Sequence, residues 1–317
     1  MSEAPPTPTR AGFAAVIGAP NAGKSTLVNR LVGSKVSIVT KKVQTTRFPV
    51  RGVAMEGQSQ VILVDTPGVF TPRRRLDRAM VKAAWTGADE ADAVVHLVDV
   101  EAELAVTEGQ ASPAQKLGVQ DAETVLERLK AGGRKAILAL NKIDLIKRDK
   151  LLAVAERLFG SEAYSEVFMI SAENGSGVAD LKARLAALMP ESPWLYPADQ
   201  TADLPVRLLA AEITREKLYL RLHEELPYAA AVETTAFTEA KGGAVRIEQT
   251  IYVEREGQRA IVLGKGGTAL KWIGTKSREE LIELLDRPVH LFLHVKVMEN
   301  WQERREFYND GGLEFDA

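Results

Sequence analysis

Apolar residues recur along this chain in two rhythms, and the rhythm changes near residue 190. Before that point, unbroken apolar runs of strand length end in Gly, Asp or Asn and lead into longer stretches with apolar residues at helical spacing. GFAAVIGAPNAGKSTLVNRLVG, from Gly12, reads as a buried strand, a glycine-rich turn and a helix. VILVDTPGV (61–69), AVVHLVDV and KAILALNKIDLI (135–146) repeat the strand pattern. Runs that are apolar throughout suit strands covered on both faces, which predicts a mostly parallel sheet with helices on both sides. The stretch 101–120 shows little periodicity and reads as a surface loop before the helix DAETVLERLKAGG.

After residue 190 the pattern becomes mixed. LMPESPWLYPADQTADLP (188–205) carries four prolines and reads as an extended linker. VRLLAAEITREKLYLRLHEELPY has helical spacing and ends at Pro227. AAAVETTAFTEA and AVRIEQTIYVERE alternate apolar and polar residues, so they predict two strands with Gly242 and Gly243 at the turn. A short apolar strand or helix follows, then the loop Gly264-Lys265-Gly266-Gly267, a second helix and a third strand, VHLFLHVKVM. The domains expected are a disordered tail over 1–10, an α/β domain over 11–190, a linker over 191–205, an α+β domain over 206–298 and a C-terminal segment over 299–317.

Composition narrows the classes. A chain of 317 residues favours two cores over one, and 45% apolar content can fill both. The absence of cysteine excludes a disulfide framework and thiolate metal sites, and fits a reducing cytoplasm. MSEAPPTPTR has no signal-peptide core, and no run reaches the ~20 apolar residues of a membrane span. A net charge of −2 gives no general attraction to nucleic acid, so any such binding needs a local patch.

The strand ends carry candidate chemistry. Gly18, Ala19, Pro20, Asn21, Ala22, Gly23, Lys24 and Ser25, with Thr26 behind them, form a phosphate loop between a strand and a helix. Its backbone N–H groups face α- and β-phosphates, Lys24 reaches the β/γ oxygens and the Ser25 hydroxyl ligates Mg²⁺. Asp65, Thr66, Pro67 and Gly68 close the next strand, where Asp65 can hold Mg²⁺ through water and the Gly68 amide can meet a γ-phosphate. In Asn141-Lys142-Ile143-Asp144 the carboxylate of Asp144 can accept from both edge N–H groups of guanine, a pairing that adenine cannot satisfy. Ser171 and Ala172 follow, with the Ala172 N–H placed to meet the guanine O6. The charge run TPRRRLDR (71–78) reads as a solvated, mobile loop rather than an RNA or effector contact.

In the second domain, the glycine loop suits close approach to a nucleic-acid backbone, with Lys265 neutralising a phosphate. Arg259, Lys265, Lys271, Lys276 and Arg278 form a strip with no intervening acid on a domain that is acidic overall. Ile261, Leu263, Ile273 and Trp272 read as core rather than as base platforms, and His223, His290 and His294 as structural.

The motifs GAPNAGKS, DTPG, NKID and SA make the first domain resemble the translation-factor-related GTPases, and the element order with its Gly-x-x-Gly loop makes the second resemble a type II KH domain. Together, with YVEREGQ before the glycine loop, they resemble the Era family of bacterial GTPases along nearly the whole chain. That resemblance implies Mg²⁺-dependent GTP hydrolysis acting as a switch, with catalysis resting on Lys24, Asn21, Thr46 and Gly68. It implies binding to the 3′ end of small-subunit ribosomal RNA, assistance to 30S assembly and a monomer in the cytoplasm. The family is also linked to cell-cycle control and peripheral membrane association at the inner membrane. A regulator with a protein or membrane partner and a merely structural KH domain is therefore the alternative. The family's switch threonine falls on Thr45 or Thr46, with Thr46 preferred as a Mg²⁺ ligand, although β-branched residues entering a strand would look the same. Where many GTPases carry a water-orienting glutamine, this chain has Val69. In related GTPases with an apolar residue there, a phosphate-loop asparagine helps bind K⁺, which makes Asn21 the candidate. Its other reading is a turn former that tolerates left-handed geometry.

Overall fold

The computed structural model describes residues 8–222, 226–309 and 311–317. It divides into two compact units, and each carries its own core. The first unit holds the described residues up to Ser37, Thr46–Asp203 and Asp316–Ala317; the second holds Ile38–Thr45 and Leu204–Phe315. The expected disordered tail falls mainly on residues 1–7, outside the described residues, and the first strand begins at Arg10.

The first unit is built on a seven-stranded sheet. Its strands are β1 (Arg10–Ile17), β2 (Val50–Glu56), β3 (Ser59–Asp65), β4 (Ala93–Asp99), β5 (Ala136–Asn141), β6 (Tyr164–Met169) and β7 (Ala202–Asp203). They lie in the order β6-β5-β4-β1-β3-β2-β7, parallel from β6 through β3 and antiparallel at β2 and β7. The helices are α1 (Lys24–Val32), α2 (Arg75–Glu90), α3 (Val100–Thr107), α4 (Pro113–Gly132), α5 (Arg148–Phe159) and α6 (Val178–Leu188). Because successive strand residues point to opposite faces, Val16 and Val95 enter one core with Leu27, Leu31, Leu181 and Leu185 of α1 and α6. Ile17 and Leu138 enter the other with Ala84, Val125 and Leu151 of α2, α4 and α5. Each buried Leu or Ile contributes roughly 1.5–3 kcal/mol of transfer free energy.

Residues 101–120, expected as a loop, instead form α3 and the start of α4. Caps rather than an apolar stripe define these helices. Asp99 Oδ1 accepts the N–H groups of Glu101 and Ala102 at 3.1 and 3.2 Å. Ser112 and Gln115 exchange side-chain to backbone bonds in a capping box, with Pro113 in the first turn. The basic run 71–78 is also more ordered than expected, since α2 begins at Arg75 and the buried Asp77 carboxylate accepts the N–H groups of Arg73 and Arg74 at 3.0 and 2.9 Å. Within the expected linker, Ala202 and Asp203 form β7 on the edge of β2.

The second unit comprises α7 (Val206–Arg221), β8 (Ala230–Glu239), β9 (Val245–Val253), α8 (Glu256–Leu263), α9 (Thr268–Leu285), β10 (Val289–Val297) and the short α10 (Glu306–Asn309). Its sheet runs β10-β9-β8, with β10 parallel and β8 antiparallel to β9. Leu218, Tyr219, Ile251, Val253, Val262 and Ile273 are fully buried between sheet and helices. The segment before the glycine loop, left open as strand or helix, is the helix α8. Gly242 and Gly243 turn the β8–β9 hairpin with φ of 73° and 75°, conformations that favour glycine. Of the histidines read as structural, His290 and His294 are exposed on β10, and His223 lies outside the described residues.

Candidate nucleotide site and nucleic-acid interface

The loop between β1 and α1 is shaped by close approach. Gly18 sits at φ 151°, and a Cβ there would lie 2.4 Å from the Leu97 carbonyl oxygen. Asn21 is exposed at φ 62°, a left-handed position that asparagine tolerates. α1 has no side-chain N-cap, so its first N–H groups stay available to an anion. Lys24 opens that helix, and its ammonium is folded back onto the loop, donating to the carbonyls of Gly18 at 3.0 Å and Ala19 at 2.9 Å. Burial lowers its pKa to about 8, against the opposing charges of Asp65 and Asp121. A buried ammonium held by two loop carbonyls is a cation awaiting an anion.

Three oxygen-bearing side chains converge beside it. The Ser25 hydroxyl donates to Asp65 Oδ2 at 2.7 Å, Thr46 Oγ1 donates to the same oxygen at 3.1 Å, and the two hydroxyls are 2.9 Å apart. Asp65 is fully buried, and burial raises its pKa while the Ser25 hydroxyl and Lys24 ammonium oppose that rise. Its Oδ1 has no hydrogen-bond partner among the described residues. A buried carboxylate oxygen left unpaired beside two hydroxyls fits a hard, oxygen-seeking cation such as Mg²⁺. The structure brings Thr46, not Thr45, to this cluster; Thr45 Oγ1 donates to the Lys42 carbonyl instead.

Gly68 lies against the phosphate loop, where a Cβ would come within 2.9 Å of Pro20. The Val69 N–H donates to the Gly18 carbonyl at 3.1 Å, and its side chain is buried. Thr66 hydrogen-bonds the Val16 carbonyl at 2.8 Å. Thr66 therefore braces the end of β3 against β1.

The base side is organised by Asn141. Its Nδ2 donates to the Ala22 carbonyl at 2.8 Å and its Oδ1 accepts the Ala172 N–H at 2.9 Å. The Ala172 amide, expected to meet a guanine O6, donates here to Asn141, which places it in the frame of the pocket beside the Asn141 side chain. Ser171 is buried and turns the same loop, accepting the Asn174 N–H. Lys142, at φ 69°, pairs with Asp99, so one carboxylate both caps α3 and fixes the turn after β5. Asp144 stands exposed on the short turn Ile143–Leu145, with its carboxylate open to solvent.

In the second unit the glycine loop joins α8 to α9. Gly264, Gly266 and Gly267 have φ of 72°, 62° and 76°. A Cβ on Gly264 would meet the Ala269 backbone nitrogen at 2.8 Å, whereas one on Gly266 would meet nothing within 4 Å. Gly264 is needed for the turn, and Gly266 for an open surface. Lys265, Lys271 and Arg278 are exposed. Two other cations of the strip are tied to acids just outside it, Arg259 to Glu256 at 2.6 Å and Lys276 to Glu279 at 2.7 Å. Ile261 is 57% exposed and Trp272 36% exposed, with the Arg221 guanidinium 5.8 Å from its ring. Both were expected in the core, as Ile273 is; instead they give the basic strip an apolar, aromatic component.

Comparison with known proteins follows the same division. The family described as 50S ribosome-binding GTPase matches residues 13–142, and the KH domain family matches residues 225–302. Fold, site and matches define a P-loop GTPase that carries a KH domain. The GTPase Era of Caulobacter vibrioides is 72% identical over 309 residues, covering 98% of each chain. The crystal structure of an Era variant from Aquifex aeolicus bound to GDP·AlF4⁻ superposes with a TM-score of 0.83 at 35% identity, covering 96% of this chain and 99% of that one. A crystal structure of Era with MgGDPNP and nucleotides 1506–1542 of 16S ribosomal RNA gives 0.83 at 36% identity, with the same coverage. The chain belongs to the Era family of GTPases.

Proposed function

We propose that this protein is a GTP-hydrolysing switch of the cytoplasm that binds the 3′ region of small-subunit ribosomal RNA and assists assembly of the 30S subunit. The observation that carries the switch reading is the convergence of Ser25, Thr46 and Asp65 within 3.1 Å beside a buried, loop-bound Lys24. The RNA reading is supported by the open glycine loop with its exposed Lys265, and by the relative of known structure that holds 16S ribosomal RNA.

On GTP binding, Lys24 exchanges the Gly18 and Ala19 carbonyls for β/γ oxygens, and the uncapped start of α1 receives the phosphates. Ser25, Thr46 and Asp65 would hold Mg²⁺, which would neutralise charge on the β- and γ-phosphates. The Gly68 N–H faces the γ-phosphate from the second switch, and Asp144 accepts from the guanine edge. Loss of the γ-phosphate frees Thr46, and release of GDP returns Lys24 to the loop carbonyls. Val69 is apolar and buried, so a water-orienting side chain is lacking at that position, and a monovalent K⁺ held with the help of Asn21 fits the transition-state charge that remains.

The test is GTP turnover by the purified full chain with and without Mg²⁺, together with binding to an RNA of the 16S 3′ end. Failure to hydrolyse GTP, or indifference to replacement of that RNA by an unrelated sequence, overturns the respective half of the proposal.

A further inference from the structure

Beneath α3, α4 and α5 the first unit leaves a pocket of about 270 Å³, floored by His96 of β4 and Tyr164 of β6. Val98, Ala122, Leu126 and Leu158 form its apolar wall. A lone water needs only ~10–15 Å³, and close-packed interiors leave few larger voids, so this space has room for a molecule of several heavy atoms. None of the residues that line it belongs to the candidate nucleotide site.

The floor is polar and incompletely paired. His96 is 1% exposed, its Nδ1 lies 2.8 Å from the Tyr164 hydroxyl, and its Nε2 has no hydrogen-bond partner among the described residues. Buried polar atoms are normally satisfied, so a lone one on the floor of a pocket marks a place for a ligand atom. Beside it the side chain of Glu103 is 4% exposed and accepts a bond from Arg157. Burial raises the Glu103 pKa, Arg157 opposes the rise and the charge of Glu123 adds to it. Glu123 and Glu127 are exposed and form the mouth, where Glu127 also accepts from Lys130 at 3.3 Å.

The lining therefore sets three carboxylates against one guanidinium, which disfavours an anionic ligand. Nor do the carboxylates converge as metal ligands do: among the described residues no group of three or more His, Cys, Asp or Glu could hold a metal ion. Carboxylates spread along an apolar wall match positive charges spread along a hydrocarbon chain. We propose that this pocket binds a small aliphatic polyamine, with one ammonium between Glu103 and His96 Nε2, another met by Glu123 at the mouth, and the methylenes on Leu126 and Leu158. The neutral imidazole then donates from Nδ1 to the Tyr164 oxygen, and Nε2 turns its lone pair to an ammonium N–H.

The test titrates the full chain, bound to GDP and Mg²⁺ at an ionic strength of about 0.15 M that screens diffuse surface attraction, with spermidine as the probe. Nitrogen NMR of the histidine side chains reads the site, and His96→Gln identifies the His96 signal. Spermidine is expected to move that signal saturably, with half-saturation no higher than about 1 mM. Glu103→Gln should raise the half-saturation about tenfold, the scale of a lost charge-assisted hydrogen bond, while Glu90→Gln, which removes an exposed carboxylate outside the pocket, leaves it unchanged. Ala122→Leu fills the pocket without touching a charge and should abolish the shift. A signal that does not move, or a half-saturation above about 1 mM, overturns the proposal. So does parent-like binding by folded Glu103→Gln or folded Ala122→Leu, or an equal loss in Glu90→Gln, which would mark diffuse attraction to a negative surface.

Discussion

Asn141 donates to the Ala22 carbonyl at 2.8 Å across 119 residues of sequence, tying the base side of the nucleotide pocket to its phosphate loop. The same side chain accepts the Ala172 N–H, and its Nδ2 is where a Cβ on Gly23 would fall, 2.4 Å away. Replacing Asn141 by Ala strands a buried carbonyl and a buried amide, each costing ~1–3 kcal/mol. GTP and GDP affinity should therefore fall together, by tenfold or more, with a lower Tm in the absence of nucleotide. Equilibrium binding of both nucleotides decides it, and selective loss of one would contradict a framing role.

Base choice should sit on the exposed Asp144. Asp144→Asn leaves the fold intact, because the carboxylate is open to solvent, but it loses two acceptors for the guanine edge. GTP affinity should drop by ~2–4 kcal/mol while xanthosine triphosphate binding improves. Competition between the two nucleotides for the variant measures this directly.

The two ends of the glycine loop should respond differently. Gly266→Asp meets open space, so the chain folds with ~1–2 kcal/mol of backbone strain, yet the added carboxylate repels an approaching phosphate. RNA binding should collapse while GTP hydrolysis without RNA persists. Gly264→Ala drives a methyl to 2.8 Å from the Ala269 nitrogen and should instead lower the Tm of the second unit.

With Val69 buried and apolar, the choice of monovalent cation should matter. Hydrolysis is expected to run several-fold to tens-fold faster in KCl than in NaCl at equal ionic strength, the scale of partial electrostatic stabilisation of a transition state. Asn21→Ala should erase the difference and keep nucleotide affinity. Equal rates in the two salts for the parent protein would leave Asn21 as a turn residue, the role its φ of 62° already fits.

Acid sensitivity should trace to His96, which lies buried on β4 with its Nδ1 2.8 Å from the Tyr164 hydroxyl. Burial, aided by the charge of Lys24, lowers its pKa from 6.5 to about 3. Between those values the unfolded chain binds a proton that the folded chain refuses, so stability is complete above pH 6.5 and declines as pH falls toward 3. The loss should approach ~1.4 kcal/mol per pH unit, or about 2 kcal/mol between pH 7 and 5. Urea titrations of the parent and of His96→Gln check it; the variant should lose that part of the slope.

The candidate nucleotide site was legible in the sequence because Gly18, Asp65 and Asn141 sit at strand ends and Lys24 opens the helix after the glycine loop, where a local pattern places them without knowledge of distant contacts. The same locality explains the misses. Residues 101–120 hid two helices because Val100–Thr107 is short and its cap, Asp99, ends an apolar strand. The pair Ser112 and Gln115 around Pro113 was a readable signal for the second of them. Ile261 and Trp272 read as core because helical spacing shows which residues share a face, not whether that face is covered. The attachment of Ile38–Thr45 to α7 spans 170 residues or more and leaves no periodic trace.

The short strand β7 carries a practical consequence. Arg51 and Gly52 of β2 pair with Asp203 and Ala202, and the Val53 N–H donates to the Thr201 carbonyl at 2.9 Å. Without that cover β2 would be a bare outer strand, with donors and acceptors in line to recruit the β2 of another molecule. A GTPase fragment cut at residue 190, where the pattern of the chain changes, would carry this sticky margin into solution; a fragment extended through Asp203 would bring its own hem.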